Sequence, residues 1–347
     1  AVPAVLLQQL VVNKSLTPDI TAEAITALVD LQTFSPLDDG KAGLSMTGDV
    51  GYGLMALGEG PQRQGSLRLS WTNDRIGFAI GGSHYRRNQV TDNREAGYDA
   101  NGIPIDIDIR NYELTRENNG LFGAFEVRAS DDLKLFVNGI FTEFRDREER
   151  HAYEIEIGEA AARGTRGLLT GSLNNVSITT NYNDGLYLNQ NYIGSAGFDY
   201  DTAEGGVKGI VGYTRTENTT DLPLIQSSIR SISVDYDRTA DARFPTVRLF
   251  RTVNTAGVLS RGAELTSIPV AEQNLARTVL IPIVQGVTSD AWSGRLDAWK
   301  QLDDLKISAG LYATTRDIVG NNIGIGGVVP LAATGFNPNS FVTDRPW

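Results

Sequence analysis

One polar stretch of the sequence groups side chains that could bind a cation. Its oxygen ligands are those of Asp99, Asn101, Asp106 and Asp108. Ca²⁺ takes ligands of this type in proteins. Solvated loop acids account for the same residues, and we favour that interpretation. The sequence predicts no metal site and no cofactor.

A second group of charges runs from Arg145 to Arg150 and holds three arginines and three acidic residues. Arginine forks of this kind can hold an anionic ligand, although a nearly charge-balanced run is also typical of a solvated strand end. His84 and His151 each lack a neighbouring histidine, so we interpret them as rim residues and not as ligands.

Catalytic arrangements are missing from the sequence. It has 347 residues, two histidines and no cysteine, and it shows neither a nucleophile elbow nor a glycine-rich phosphate loop. We therefore predict a protein that is not an enzyme. A net charge of −11 opposes a phosphate backbone, which argues against nucleic acid as a partner.

Apolar and polar residues alternate along most of the chain after residue 40, as in half-buried strands. Leu44 to Leu54, Leu67 to Trp71 and Leu305 to Ala313 each place apolar residues on one face and small or polar residues on the other. The sequence therefore predicts an all-β protein. We expect nine antiparallel strands near 44–57, 64–72, 75–87, 111–128, 132–147, 186–201, 206–217, 287–301 and 305–316.

Short and long connections alternate between these strands. Tight turns are expected at Asn73-Asp74, 129–132, 202–205 and 302–304, and long polar connections at 88–110, 148–172, 219–284 and 317–347. This asymmetry predicts an antiparallel transmembrane β-barrel, a meander with short periplasmic turns and long extracellular loops. The alternative is a soluble β-sandwich, which also alternates.

Aromatic residues near strand ends, such as Trp71, Phe78, Phe198 and Tyr200, would suit an interfacial girdle. Trp299 differs, because it shares a strand face with Arg295 and Asp297.

The first 36 residues have a different pattern. Val5 to Val12 and Val29 to Phe34 read as strands, and Thr17-Pro18-Asp19 reads as the start of a short helix that ends near Ile25. Threonine before proline is a common N-cap arrangement. We therefore expect a small α+β unit before the sheet.

Several of these segments resemble TonB-dependent outer-membrane receptors, in particular the branch found in Caulobacter and Xanthomonas relatives. The stretch Lys14-Ser15-Leu16-Thr17-Pro18-Asp19 and the strand that ends at Thr33-Phe34-Ser35-Pro36 are similar to the end of the family's plug domain. The hairpins at 131–150 and 293–316 are similar to barrel hairpins of that family.

The resemblance implies two domains, with residues 1–36 as the C-terminal part of the plug and 37–347 as the N-terminal part of the barrel. Such receptors have about 22 strands, so the chain is expected to be an incomplete one. We expect an open, curved sheet of poor autonomous stability, because its two edge strands would leave backbone groups unpaired.

The resemblance also implies a function. Receptors of this family take up a scarce nutrient (a ferric siderophore, cobalamin or an oligosaccharide) across the outer membrane of Gram-negative bacteria. Expected partners are outer-membrane lipid, the extracellular ligand and, in the full-length protein, the inner-membrane TonB complex, whose contact segment would precede Ala1. The alternative is a secreted or surface β-sandwich that binds carbohydrate.

Ligand binding is expected where a solute from outside first meets the long connections. Tyrosine offers a flat apolar surface with a polar tip, and arginine offers a fork for ligand oxygens. The predicted binding residues are Tyr98, Arg145, Arg147, Arg150 and Tyr153.

Overall fold

The computed structural model describes residues 7–14, 28–39, 42–55, 60–243, 245–266, 279–324 and 329–330. Antiparallel strands dominate this part of the chain, in one sheet of 15 strands and one of two. The helical content of the described residues is a single 3₁₀ helix, Gly158–Arg163. The prediction of an all-β protein is confirmed. No helix among the described residues is long and apolar enough to cross a membrane.

The small sheet lies near the N-terminus. Strand β1, Leu7–Asn13, pairs with β2, Leu28–Thr33, which confirms the two strands predicted there. The helix predicted to end near Ile25 lies outside the described residues.

The large sheet follows the order of the chain. Its strands are β3 Gly43–Leu54, β4 Pro61–Thr72, β5 Ile76–Tyr98, β6 Pro104–Arg128, β7 Leu133–Glu156, β8 Gly164–Arg166, β9 Thr170–Asp201, β10 Gly205–Asp221, β11 Leu224–Asp237, β12 Thr246–Thr255, β13 Val258–Leu265, β14 Val279–Ile281, β15 Ile283–Leu302, β16 Leu305–Gly324 and β17 Val329–Pro330. Successive strands pair antiparallel from β3 to β7, and β7 pairs with β9.

Two of the longest strand paths are interrupted at prolines. β9 pairs with β10 over one half of its length and with β11 over the other half, so β10 and β11 form one path that is broken at Pro223. β14 and β15 follow the next path, broken at Pro282. Proline has no amide hydrogen to donate to the ladder, which explains both breaks. With these paths joined, the predicted meander of neighbouring strands is confirmed.

Four short turns lie at one end of the sheet, which we call the turn end; the opposite end is the distal end. Asn73 shapes the first turn by accepting hydrogen bonds from the backbone amides of Arg75 and Ile76 at 2.8 and 2.7 Å, as asparagine often does in turns. Because paired strands alternate in direction, Asn73-Asp74 and Asp303-Asp304 lie at the same end. This confirms the predicted placement, and the periplasmic side of these turns remains a prediction.

Most of the predicted long connections are strands, so that part of the prediction is wrong. β5 and β6 stay in register up to the pair Tyr98 and Pro104, and β9 has 32 residues. Polar side chains continue the sheet because they bind one another across strands, as Asn111 does when it donates to Asp92 at 2.8 Å. Within the predicted connections, 244, 267–278, 325–328 and 331–347 lie outside the described residues.

An apolar core lies at the distal end, where long polar connections were predicted. Its buried residues, which we call the distal core, are Ile107, Ile155, Ile157, Ala160, Leu173, Val176, Ile178, Ile229, Ile232, Val234, Tyr236 and Leu249. An ion pair of 3.1 Å between Arg166 and Asp99 fastens the β5–β6 tip beside it. Arg238 also donates to the carbonyl of Gly102 at 2.9 Å. The distal end is therefore a packed lobe.

In the part of the chain that the structure describes, the edges of the large sheet do not meet. Among the described residues, β3 pairs with β4 alone and β16 pairs with β15 alone. As far as the structure describes it, the sheet is open, which agrees with the prediction. An open edge leaves a row of backbone donors and acceptors without strand partners.

Candidate functional site

The two faces of the large sheet differ in chemistry. We call the face that carries Leu44 the outer face and the face that carries Ser45 the inner face. The register places Leu44 opposite Trp71, and Trp71 opposite Phe78, so apolar side chains line up across neighbouring strands. This confirms the faces predicted from alternation in β3, β4, β5 and β16.

An apolar band runs across the outer face on the half of the sheet next to the turn end. Members exposed on this face, which we call the outer band, include Leu44, Met46, Val50, Leu67, Phe78, Ile80, Leu121, Phe125, Leu135, Val137, Tyr192, Val211, Trp292, Leu296, Ile307 and Leu311. Val137 is 54% exposed and Leu311 is 76% exposed. A contiguous apolar surface of this extent is a binding surface in most proteins.

The outer band has a definite height. On β7 it extends from Leu133 to Phe141, about 26 Å at roughly 3.3 Å per residue. The next row of outer-face residues toward the distal end is polar. It comprises His84, Asn119, Glu143 and Gln190, which are paired across four strands. On β5, β6, β7 and β9 the band therefore ends at one level, whereas on β3 it continues to Val50, which lies in the same row as His84.

Aromatic rings lie near the distal border of the outer band, where the ring centroids of Phe141 and Tyr192 are 5.0 Å apart and those of Tyr213 and Trp292 are 4.8 Å apart. A further pair, Trp71 and Phe78 at 6.0 Å, lies beside the β4–β5 turn, in the same row as Val137.

Trp299 is not part of these aromatic rows. It pairs with Gly206 and Ser308 on the inner face, which confirms the difference noted in the sequence.

The segment that follows β2 packs on the inner face near the turn end. Phe34 and Leu37 are 3% and 7% exposed, and Phe34 packs in a small core with Ala79, Phe122 and Ala124. The apolar contact of this segment is therefore with the face opposite to the outer band.

Polar contacts hold the same segment in place. The carboxylate of Glu126 accepts hydrogen bonds from the Leu37 amide at 2.9 Å and the Ser35 hydroxyl at 2.8 Å. Lys134 pairs with Asp38 at 2.7 Å. The backbone of this segment is thus anchored to the inner face at several points.

Further toward the distal end, the inner face carries a dense polar cluster. We call it the inner wall, and it consists of Arg87, Tyr112, Arg116, Asn118, Asp146, Glu148, Arg150, Asn183 and Tyr187. Cross-strand pairing places Arg87, Arg116, Asp146 and Tyr187 in one row. Tyr112, Arg150 and Asn183 lie in a parallel row four residues further along β7.

Two members of the inner wall are almost completely buried. Asp146 is 5% exposed and accepts a hydrogen bond from Arg116 at 2.6 Å. Asn183 is 1% exposed and its carbonyl accepts from Arg150 at 3.1 and 2.7 Å. These bonds involve one polar atom of each side chain and leave Asp146 Oδ1 and Asn183 Nδ2 without a partner.

Several polar atoms of the inner wall are buried without a hydrogen-bond partner. They are Arg87 Nε, Asn118 Oδ1, Asp146 Oδ1 and Asn183 Nδ2, four of the six such side-chain atoms among the described residues. A buried polar atom that lacks a partner costs about 1–3 kcal/mol. The inner wall therefore has unused donors and acceptors for a polar ligand.

The inner wall is electrostatically mixed. Three arginines face two carboxylates, so its formal charge is positive although the chain carries −11. Burial, together with the neighbouring charge of Asp146, raises the pKa of Glu148. A raised pKa means that Glu148 keeps its proton to a higher pH than a solvated glutamate does. The wall thus becomes more positive as Glu148 is protonated.

The residues predicted to bind ligand do not form one cluster. Arg145 and Arg147 lie on the outer face, whereas Arg150 lies on the inner face, because residues an odd number of positions apart point to opposite sides of a strand. Tyr98 lies under the Arg238 guanidinium, 4.4 Å from its ring centroid, and Tyr153 packs against the distal core. Of the five residues, Arg150 alone belongs to the inner wall. Ligand binding by any of them remains a prediction.

Three of the four possible calcium ligands are used in other contacts. Asp99 pairs with Arg166 at 3.1 Å, Asp106 accepts from the Gly97 amide at 3.0 Å, and Asp108 pairs with an arginine on its own strand. No group of three or more metal-binding side chains occurs in the described part of the chain.

No protein-family model matches this sequence, and no match was found among curated proteins or solved structures. The resemblance to TonB-dependent receptors therefore depends on the short motifs alone.

Proposed function

We propose that this chain is part of an outer-membrane receptor of the TonB-dependent type, which binds a scarce nutrient and passes it inward. In this proposal the strands cross the outer membrane as part of a β-barrel, and residues 1–36 are the end of a plug. Energy coupling through an inner-membrane complex is what the family resemblance implies.

One observation carries the proposal: the outer band and the N-terminal segment occupy opposite faces of the sheet. A strand tilted by about 40°, as is usual in such barrels, would carry the 26 Å band through roughly 20 Å of bilayer. Transmembrane barrels have an outward apolar band of about 25 Å between two rows of aromatic residues. The plug of a receptor would fill the other side, where Phe34 and Leu37 pack.

The β-sandwich alternative fits less well. A sandwich buries its apolar face against a second sheet about 10 Å away. In the described residues, the second sheet has two strands, and outer-band residues such as Leu44 and Leu311 are 76% exposed. Lipid is a simpler occupant of this surface.

The inner wall is the proposed ligand site. The inner wall lies on the face that would line the lumen. It is closer to the distal end than the small core that contains Phe34. Its arginine, amide and tyrosine groups can hydrogen-bond to carboxylate, catecholate or sugar oxygens. A ferric siderophore, cobalamin and an oligosaccharide all remain candidate ligands.

Removing one arginine of the inner wall tests the proposal. The chain purified in detergent is titrated with a ferric catecholate chelate, cobalamin and maltoheptaose, and binding is followed by tryptophan fluorescence. We expect one probe to saturate, and Arg150→Ala to raise its Kd about tenfold to a hundredfold, because a hydrogen bond to a charged group contributes about 1.5–3 kcal/mol.

The matched control is Arg147→Ala, three residues away on the same strand but on the outer face. It should leave the Kd unchanged. A folded chain that binds none of the three probes, or equal losses in the two variants, would contradict the proposal.

A further inference from the structure

The polar surface of the inner face continues from the inner wall toward the turn end. The residues there are neutral, and we call them the amide track: Thr142, Asn189, Asn191, Thr216 and Asn218. Cross-strand pairing places them in two neighbouring rows on β7, β9 and β10. Asn118 of the inner wall lies in the row of Asn189 and Asn218. The inner wall and the amide track therefore form one continuous polar strip.

Hydrogen bonds hold the amide track in place. Asn191 donates to Thr142 at 3.2 Å and to Asn189 at 2.7 Å, and it accepts from Thr216 at 2.9 Å. Asn189 donates in turn to Asn218. An amide side chain has two N–H donors and a carbonyl with two lone pairs, and these bonds use part of that capacity. The track thus offers donors and acceptors to a ligand without any formal charge.

The buried atoms of the inner wall that lack a partner are of both kinds. Arg87 Nε and Asn183 Nδ2 are donors, whereas Asn118 Oδ1 and Asp146 Oδ1 are acceptors. A hydroxyl group both donates and accepts hydrogen bonds, so it can satisfy atoms of either kind. A deprotonated oxygen only accepts and would leave Asn118 and Asp146 without a partner. The hydrogen-bonding pattern therefore favours a ligand that is rich in hydroxyl groups.

The charge of the surrounding inner face disfavours an anionic ligand. The inner wall itself has three arginines and two carboxylates. Toward the distal end, the same face of β5, β6 and β7 adds one arginine, Arg110, and five carboxylates, those of Glu95, Asp106, Asp108, Glu154 and Glu156. Carboxylates thus outnumber arginines over this half of the face. A ferric catecholate chelate, which is an anion, would be repelled there.

The polar strip is long and carries flat apolar surfaces at intervals. It extends on β7 from Thr142 to Arg150, about 26 Å at roughly 3.3 Å per residue. Tyr85 and Phe144 lie in the row of Asn118, and Tyr187 lies in the next row. An aromatic ring provides a flat surface on which a sugar ring can pack. A linear oligosaccharide repeats rings and hydroxyl groups along its length, whereas cobalamin is compact, so the shape of the strip favours the oligosaccharide.

We propose that the inner wall and the amide track together bind a neutral, linear oligosaccharide. Its hydroxyl groups donate to Asn118 and Asp146 and accept from Arg87 and Asn183. Its rings pack on the aromatic side chains that interrupt the strip. This inference rests on the proposed function, since it names the ligand class of the site proposed there.

Blocking the hydroxyl groups of the probe tests the inference on the unaltered chain. Maltoheptaose and its fully O-methylated form are titrated into the chain in detergent, and binding is measured by isothermal titration calorimetry. Methylation keeps the oxygen acceptors but removes every hydroxyl donor. We expect the Kd of the methylated form to be about tenfold higher or more, because two buried acceptors lose their partners. Equal affinity for the two forms would overturn the inference.

Salt distinguishes recognition of a neutral ligand from recognition of an anion. Raising the NaCl concentration about tenfold shortens the distance over which charges act. The Kd of maltoheptaose should change less than about twofold, since no net charge is bound. A larger weakening would mean that charge recognition dominates the site, which contradicts the inference.

Asn118→Leu removes one buried acceptor and leaves the charge unchanged. We expect it to raise the Kd of maltoheptaose about tenfold. The matched control is Asn119→Leu, at the next residue of β6, which lies on the outer face opposite His84 and Glu143. It should leave the Kd unchanged. Equal Kd values for the two variants would count against a site on the inner face.

The three probes of the preceding section separate failure of this inference from failure of the proposed function. Tighter binding of the ferric catecholate chelate or of cobalamin than of maltoheptaose overturns this inference and leaves the proposed function intact. A folded chain that binds none of the three contradicts the proposed function itself.

Discussion

A chain that carries Val137→Arg is expected to lose most of its insertion into phosphatidylcholine vesicles. Val137 lies midway between Leu133 and Phe141 in the outer band and is 54% exposed. An arginine on the lipid face of a barrel costs about 2–4 kcal/mol at the midplane, roughly a 30-fold to 1,000-fold change in partition. Flotation of vesicles with refolded chain gives the inserted fraction.

Asn138→Arg provides the control at the same depth. Asn138 is the next residue on β7 and lies on the inner face, opposite Ser195. Charged residues on that face do not enter hydrocarbon, so insertion should stay close to that of the unaltered chain. Equal insertion of the two variants would mean that the outer band does not contact lipid.

Ile178→Ala is expected to destabilise the distal lobe by about 2–5 kcal/mol, the usual cost of removing a large buried aliphatic side chain. Ile178 is fully buried in the distal core. Limited proteolysis of the segments 157–169 and 238–243 should become faster. Denaturant unfolding in detergent measures the accompanying loss of free energy.

The control for this substitution is Leu169→Ala, which removes a side chain of similar size that is 48% exposed. It should change the free energy of unfolding far less than Ile178→Ala. If both variants behave alike, the distal end is not the packed lobe that we describe.

The strands near the turn end could be predicted from the sequence because each has one apolar face and one polar face. Leu67, Leu69 and Trp71 alternate with polar residues, and this period of two has no helical interpretation. The turns could also be predicted, since Asn73-Asp74 is a common turn sequence.

The sequence does not predict the distal lobe, although apolar and polar residues also alternate there. Ile105, Ile107 and Ile109 are separated by aspartates, and Ile232, Val234 and Tyr236 are separated by Ser233 and Asp235. The sequence prediction places these runs in polar connections because charged residues surround them. Their apolar residues pack only because β6, β7, β9 and β11 bring them together, a contact between segments more than 100 residues apart.

The inner wall could not be predicted because it depends on register. Arg116, Asp146 and Tyr187 come from three strands and meet only because each strand is paired at one particular offset. A shift by a single residue would send each side chain to the other face. The same rule separates Arg150 from Arg145 and Arg147, which are close in sequence.

Quenching of single tryptophans by brominated lipid tests the central claim, that the outer face contacts lipid and the inner face does not. Trp292 and Trp299 lie on the same strand, on the outer and the inner face. Each is kept in turn while the other tryptophans are replaced by phenylalanine, and the chain is refolded into vesicles with bromine on the acyl chains. The account predicts strong quenching of Trp292 and weak quenching of Trp299; equal quenching of both, or stronger quenching of Trp299, would contradict it.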